Sequence, residues 1–157
     1  EDAEICLRTL CEGYLFAGWL TSHNSFVAGV GNCQQYDGSP LFQLDALLGS
    51  MAAVNEMLVQ RTADGVIRVF PAVPEGRGAS FASLRVPGAV LVSAARSSAA
   101  VEWITVQAEV AGEVAVALPW SGARLAPEPR HGEATGSASV LRWPAEPGVL
   151  YRLLPTA

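Results

Sequence analysis

A carboxylate, Asp45, stands near the start of a mostly apolar helical run, "SPLFQLDALLGSMAAVNEMLVQ", from Ser39 to Gln60, whose other acid, Glu56, lies near its end. An acid early in a helix complements the positive end of the helix dipole. An acid beside a polar loop can also polarise a neighbour or bind a sugar hydroxyl. Spacing alone leaves both roles open. The stretch before it, "TSHNSFVAGVGNCQQYDGSP", holds His23, Asn24, Asn32, Gln34, Gln35, Tyr36 and Asp37. It is turn-rich and reads as a long loop, a kind of segment that is usually functional or disordered. Amides and aromatic rings suit carbohydrate, which offers many hydroxyls and apolar ring faces. The same composition also makes an ordinary solvated loop. His23 and Asn24, with Gln43 beside Asp45, are the candidate sugar contacts.

Other chemistry is thinner. The second histidine, His131, lies in a separate turn-rich stretch, and neither histidine has a further ligand at metal spacing. No metal is implied. Cys6, Cys11 and Cys33 form no CxxC pair, and their number is odd. They are expected to be small buried apolar residues. There is no G-x-S-x-G, P-loop or dinucleotide fingerprint, so no cofactor is implied. Trp103 falls on the polar side of its strand, either as a stacking platform for a sugar or packed against the helical part. Trp120 and Trp143 are expected in the core or rim of a β-sandwich.

The elements that would position these residues change character near Asp64-Gly65. Before it the period is helical. "EDAEICLRTLCEGYLFAGWL" sets Leu7, Leu10, Cys11 and Tyr14 on one face, with Asp2 and Glu4 near the start. A second helix is expected from Pro40, with Ser39 as its N-cap. Its stripe is Leu44, Leu47, Leu48, Met51 and Leu58, flanked by Gly49, Ser50, Ala52 and Ala53. Such a helix is expected to pack on several sides.

After Gly65 the period becomes two. "VIRVF", "SFASLRV", "AVLVSAA", "VEWITVQAEV", "EVAVAL", "ASVLRW" and "VLYRLL" read as seven or so short strands with Gly/Pro turns, a β-sandwich. In "VEWITVQAEV", Ile104, Val106, Ala108 and Val110 share one face. "SGARLAPEPRHGEATGS" is a polar hairpin or excursion between two strands. The fold class is therefore α+β, with a helical segment over residues 1–63 and an antiparallel β-sandwich over 64–157. Two helices with apolar faces cannot close a core alone. They need the sandwich, further helices or a partner chain.

Composition bounds the rest. The chain has 157 residues, half of them hydrophobic, and a net charge of -5 with no lysine. That acidic balance argues against nucleic acid, which favours a basic face. No run reaches the roughly 18 apolar residues of a membrane span. No signal peptide is visible. The chain opens at Glu1 without Met, and the numbering is expected to begin inside a longer parent chain or after processing.

The order of three short motifs resembles glycoside hydrolase family 95, the inverting α-L-fucosidases and their relatives. In that family a segment PPFQIDGNFGG opens a barrel helix ending in EMLLQS, followed by a turn and then I-x-L-L-P-A-L-P. Here FQLD is Phe42 to Asp45, EMLVQ is Glu56 to Gln60, and VFPAVP is Val69 to Pro74. The stretch from Ser80 to Trp120 is similar to the family's continuation, and the resemblance covers most of Ala17 to Trp120. It implies a helical (α/α)6 barrel carrying the active site, with this chain as the last barrel helices plus the C-terminal sandwich. It implies a catalytic-site role for Asp45, assisting asparagines that activate water. The upstream general-acid glutamate and the paired asparagines have no match here, so the chain alone should not turn over a glycoside. The family's Gly-Asn after the aspartate is Ala46-Leu47, its His is Ser39, and its second Pro is Leu41. The alternative to a hydrolase fragment is a non-catalytic carbohydrate-binding or structural β-sandwich module.

Overall fold

The computed structural model describes residues 2–13, 44–137 and 139–156; for residues 13 and 44–47 it describes the backbone alone. The chain divides into two compact units, Glu1–Glu56 and Met57–Ala157. The architecture is mixed α+β, with two short helices and two five-stranded sheets.

In the first unit, α1 (Asp2–Gly13) has Asp2 and Glu4 in its first turn. Glu4 pairs with Arg8 one turn on, at 3.6 Å. Tyr14 lies outside the described residues. Cys6 and Cys11 are exposed, which corrects their expected burial; no described side chain of α1 is fully buried. Cys33 lies outside the described residues.

Helix α2 (Leu44–Leu58) also departs from expectation. Rather than packing on several sides, it leaves Leu48 and Met51 57% and 59% exposed, and Val54 is exposed as well. These three recur every third residue and share a face. The residues between them are small or polar and offer little surface to bury.

The second unit begins as α2 ends. The run "EMLVQ" has helical spacing, yet Val59–Arg61 is extended as β1. It pairs antiparallel with β2 (Val66–Val69), and Val59 is buried in the core. Val59 is β-branched and better suited to a pleat than to another helical turn. The connecting turn uses Gly65 at φ 81°, with a 2.8 Å hydrogen bond from its N–H to the Thr62 carbonyl. Thr62 also donates from its hydroxyl to Asp64. The segment after β2 caps the helix: the N–H groups of Phe70 and Ala72 donate to the Leu58 and Met57 carbonyls. Those carbonyls have no partner within the helix. Phe70 reaches this position at φ 54° and is held there by an edge contact with the Phe81 ring, 5.3 Å between centroids.

The remaining strands are β3 (Ala79–Val86), β4 (Val90–Arg96), β5 (Val101–Ala108), β6 (Gly112–Ala117), β7 (Ala123–Ala126), β8 (Thr135–Ser137), β9 (Val140–Ala145) and β10 (Leu150–Pro155). One sheet runs β1-β2-β6-β9-β8 and the other β3-β4-β5-β10-β7. All neighbours are antiparallel except β2 and β6, which run parallel. That pair corrects the all-antiparallel expectation. The polar excursion contributes β7 and β8, one short edge strand to each sheet. Short edges limit unwanted strand pairing.

Alternation aims one face of each sheet inward. Ile67, Val114, Val116 and Trp143 come from the first sheet, and Val92, Ile104, Val106, Tyr151 and Leu153 from the second, into one core. Trp143 and Tyr151 meet across it at 5.6 Å. Val110 is an exception to the expected pattern: it lies beyond the end of β5 and is 57% exposed.

Candidate functional site

Of the expected site residues, His23, Asn24 and Gln43 lie outside the described residues. For Asp45 the backbone alone is described, as the second residue of α2. Among the described residues, no three His, Cys, Asp or Glu side chains come together as metal ligands. No helix among them is long and apolar enough to cross a membrane.

The polar groups that do converge lie on the outer face of the β3-β4-β5-β10-β7 sheet. Because strand side chains alternate, the residues that alternate with Ile104, Val106 and Ala108 point away from the core. These are Trp103, Thr105 and Gln107. Register fixes their neighbours. Ala95 lies opposite Trp103, Ser93 opposite Thr105, and Leu91 opposite Gln107. On the other flank Arg152 lies opposite Thr105.

Several of these groups are held in place. The guanidinium carbon of Arg152 lies 5.9 Å from the centroid of the Trp103 ring, over its face. A cation so placed is attracted by the ring quadrupole, by ~0.5–1 kcal/mol at an exposed site. Gln107 donates from its amide to the Gly148 carbonyl at 2.8 Å, which holds the side-chain amide in place. Ser93 Oγ accepts a 2.9 Å bond from the N–H of Ser83. Ser83 is the raised point of a bulge between Phe81 and Leu84 and has φ 54°. Bulges of this kind bend a strand and re-aim its side chains. At the rim, Arg85 clasps Glu109 through both nitrogens, with 2.7 Å from Nη2 to Oε1. The Arg85 hydrogen bond holds the Glu109 carboxyl below its ordinary pKa, and the same bond raises Arg85.

The face continues across β10 onto β7. Leu154 lies opposite Arg124, and Arg152 opposite Ala126, so both arginines share the outer side. Beyond β7 is an open cleft of about 490 Å³. Arg124, Leu125, Glu128, Pro129, Glu133 and Leu141 line it. It occupies the gap between edge strand β7 and the β8–β9 edge of the other sheet.

Sequence reasoning found Trp103 on the outer side of its strand but gave it no partner, since Arg152 is remote in the chain. It passed over Arg124 and the cleft altogether. Their only local signal is a Pro-rich, charged stretch that reads as a surface loop. Two of the other three tryptophans are structural; the third, Trp19, lies outside the described residues. Trp143 is buried in the core, and Trp120 donates from Nε1 to the Val101 carbonyl at 2.8 Å. Compared with known proteins, the chain matches no protein-family model and no curated protein.

Proposed function

We propose that this chain is the C-terminal region of an inverting, fucosidase-like glycoside hydrolase. In this reading the helical segment that ends with α2 supplies the last helices of an (α/α)6 barrel, and the strands from Val59 onward form the β-sandwich that follows it. The observation that carries it is the apolar stripe of α2, where Leu48 and Met51 stand more than half exposed. A helix with such a face calls for a packing partner, and further barrel helices would provide one. The order of FQLD, EMLVQ and VFPAVP supports the same assignment.

Asp45 then assists the groups that activate the attacking water, and His23, Asn24 and Gln43 contact the sugar. Inverting hydrolysis needs an acid on one side of the glycosidic bond and a base-like group on the other, with room for water between. The general acid belongs to the upstream barrel, so the 157-residue chain is inactive by itself. The test is hydrolysis of a nitrophenyl α-L-fucoside, with the product anomer followed by NMR. The 157 residues alone should give no turnover. Joined to their upstream barrel they should invert the anomeric centre, and Asp45→Asn should lower kcat by ~10²-fold or more. Turnover by the isolated chain, or an unimpaired Asp45→Asn enzyme, overturns the proposal.

The alternative, a non-catalytic carbohydrate-binding module, is favoured by a different observation: the Trp103–Arg152 pair on an outer sheet face with hydroxyl and amide groups beside it.

A further inference from the structure

We infer that the outer face of the β3-β4-β5-β10-β7 sheet binds an acidic saccharide, with Arg152 receiving its carboxylate and Trp103 its ring. The inference rests on the carbohydrate-binding reading and is independent of any role for Asp45.

Charge is the first argument. The protein carries a net charge of -5. Elsewhere on its surface Arg8, Arg85, Arg130 and Arg142 each pair with a glutamate. Arg152 and Arg124, like Arg61, Arg68 and Arg96, have no carboxylate ion pair among the described residues, but these two are neighbours on one sheet face. They are diagonal neighbours on adjacent strands, a placement that sets Cα atoms about 7–8 Å apart. Two like charges this close raise the potential of the face and favour an anion between them. A guanidinium fork matches a carboxylate geometrically. Arg152 is also pre-positioned by the indole, so less side-chain freedom is lost on binding.

The neighbouring groups favour a sugar over another anion. Ala95 is the direct partner of Trp103 on the β4 side, so only a methyl group stands there. An apolar pyranose face can approach the ring from that direction. Ser93, Thr105 and Gln107 then offer hydroxyl and carbonyl groups suited to vicinal hydroxyls. Ser93 and Gln107 are already oriented by bonds to Ser83 and Gly148.

The cleft beyond β7 refines the ligand class. Two strand spacings, about 10 Å, separate β5 from β7. A second sugar unit therefore reaches the cleft, where the Glu128 and Glu133 carboxylates accept hydroxyl hydrogen bonds. Those carboxylates repel further anionic units. The ligand is thus an oligosaccharide with an isolated acidic unit joined to neutral ones, not a uniform polyanion.

The test uses the 157-residue chain and two-dimensional NMR with tryptophan fluorescence. The probes are a xylo-oligosaccharide bearing one glucuronic acid, its carboxyl-reduced form, an oligogalacturonide of equal length, and a glutamate-rich peptide. The glucuronate probe should bind at least ~10-fold more tightly than each of the others, with shifts at Trp103 and Thr105. Arg152→Gln, an exposed change, should remove that preference while lowering the Tm by no more than a few degrees, the loss of the contact with the indole. Trp103→Ala should lose the fluorescence response. Equal binding of the reduced probe, equal or tighter binding of the peptide or oligogalacturonide, no binding at millimolar concentration, or an unaffected Arg152→Gln variant overturns the inference. None of these outcomes bears on fucoside hydrolysis, so the two proposals fail separately.

Discussion

Arg61 reaches from the β1–β2 hairpin to the β3–β4 turn and fills the space that a side chain on Gly88 would need. Its Nη1 donates to the Pro87 carbonyl at 2.6 Å and its Nε to the Gly65 carbonyl at 3.1 Å. A Cβ on Gly88 would lie 2.0 Å from Nη1. One side chain thus ties a turn of the first sheet to a turn of the second.

Gly88→Ala should therefore cost more than its backbone strain. Gly88 has φ 87°, and an alanine there loses ~1–2 kcal/mol. It also drives Arg61 away from both carbonyls. Gly148 has φ 75° but nothing near its Cβ position. Gly148→Ala should show the strain alone. In an Arg61→Ala background the two glycine changes should cost the same. Urea unfolding of this mutant cycle checks the coupling, and additive costs would contradict it.

The core should respond to single atoms. Tyr151 is fully buried, and its hydroxyl accepts a 3.1 Å bond from the Glu146 N–H. Tyr151→Phe leaves that N–H without its partner and should lose ~1–3 kcal/mol. Leu153→Ala, on the same strand, leaves a cavity and should lose ~2–5 kcal/mol. Thermal unfolding followed by tryptophan emission separates the two.

The Arg85–Glu109 clasp should make a pH-dependent contribution. Hydrogen bonding to Arg85 lowers the folded-state pKa of Glu109. The stabilisation is complete above the unfolded glutamate value and disappears as pH falls through the lower folded value. Arg85→Gln should thus be less stable than the parent at neutral pH and match it under strongly acidic conditions. Both groups are solvent-exposed, so the gap is small and shrinks with salt. A gap that widens on acidification would reverse the assignment.

Cys6 and Cys11 should label rapidly in the native protein. Both are exposed and five positions apart on α1, so they face different sides of the helix. Alkylation by iodoacetamide, read by mass spectrometry, should modify both without unfolding. Protection of either one to the level of a buried thiol would show that α1 is covered.

How far the sequence foretold this architecture depends on the distance over which each signal acts. Alternation in "VEWITVQAEV" placed Ile104 and Val106 inward and Trp103 outward because the pleat is a local property. The Asp64-Gly65 break became a hairpin turn for the same reason. β1 was hidden because Leu58 and Val59 continue a helical apolar spacing; pairing with β2 overrides it. The short β7 and β8 carry too few apolar residues to alternate visibly. The β2–β6 pairing and the Arg152–Trp103 contact join residues far apart in the chain, which no local pattern encodes. The helical segment shows the opposite failure. Apolar spacing in α2 located a helix but did not reveal what its face would meet.

The parallel β2–β6 pair has a consequence for the order of assembly. Val66 meets Ala115 only after the whole β3–β4–β5 meander has been passed, so this junction closes a long loop. The meander is made of chain neighbours and can form early, while the β2–β6 junction must wait. A cut between β5 and β6 would hand each piece strands of both sheets and leave neither sheet whole. The two pieces would be obligate complements, able to rebuild the core only together, and that makes the β5–β6 turn a natural place to split the domain into a reconstituting pair.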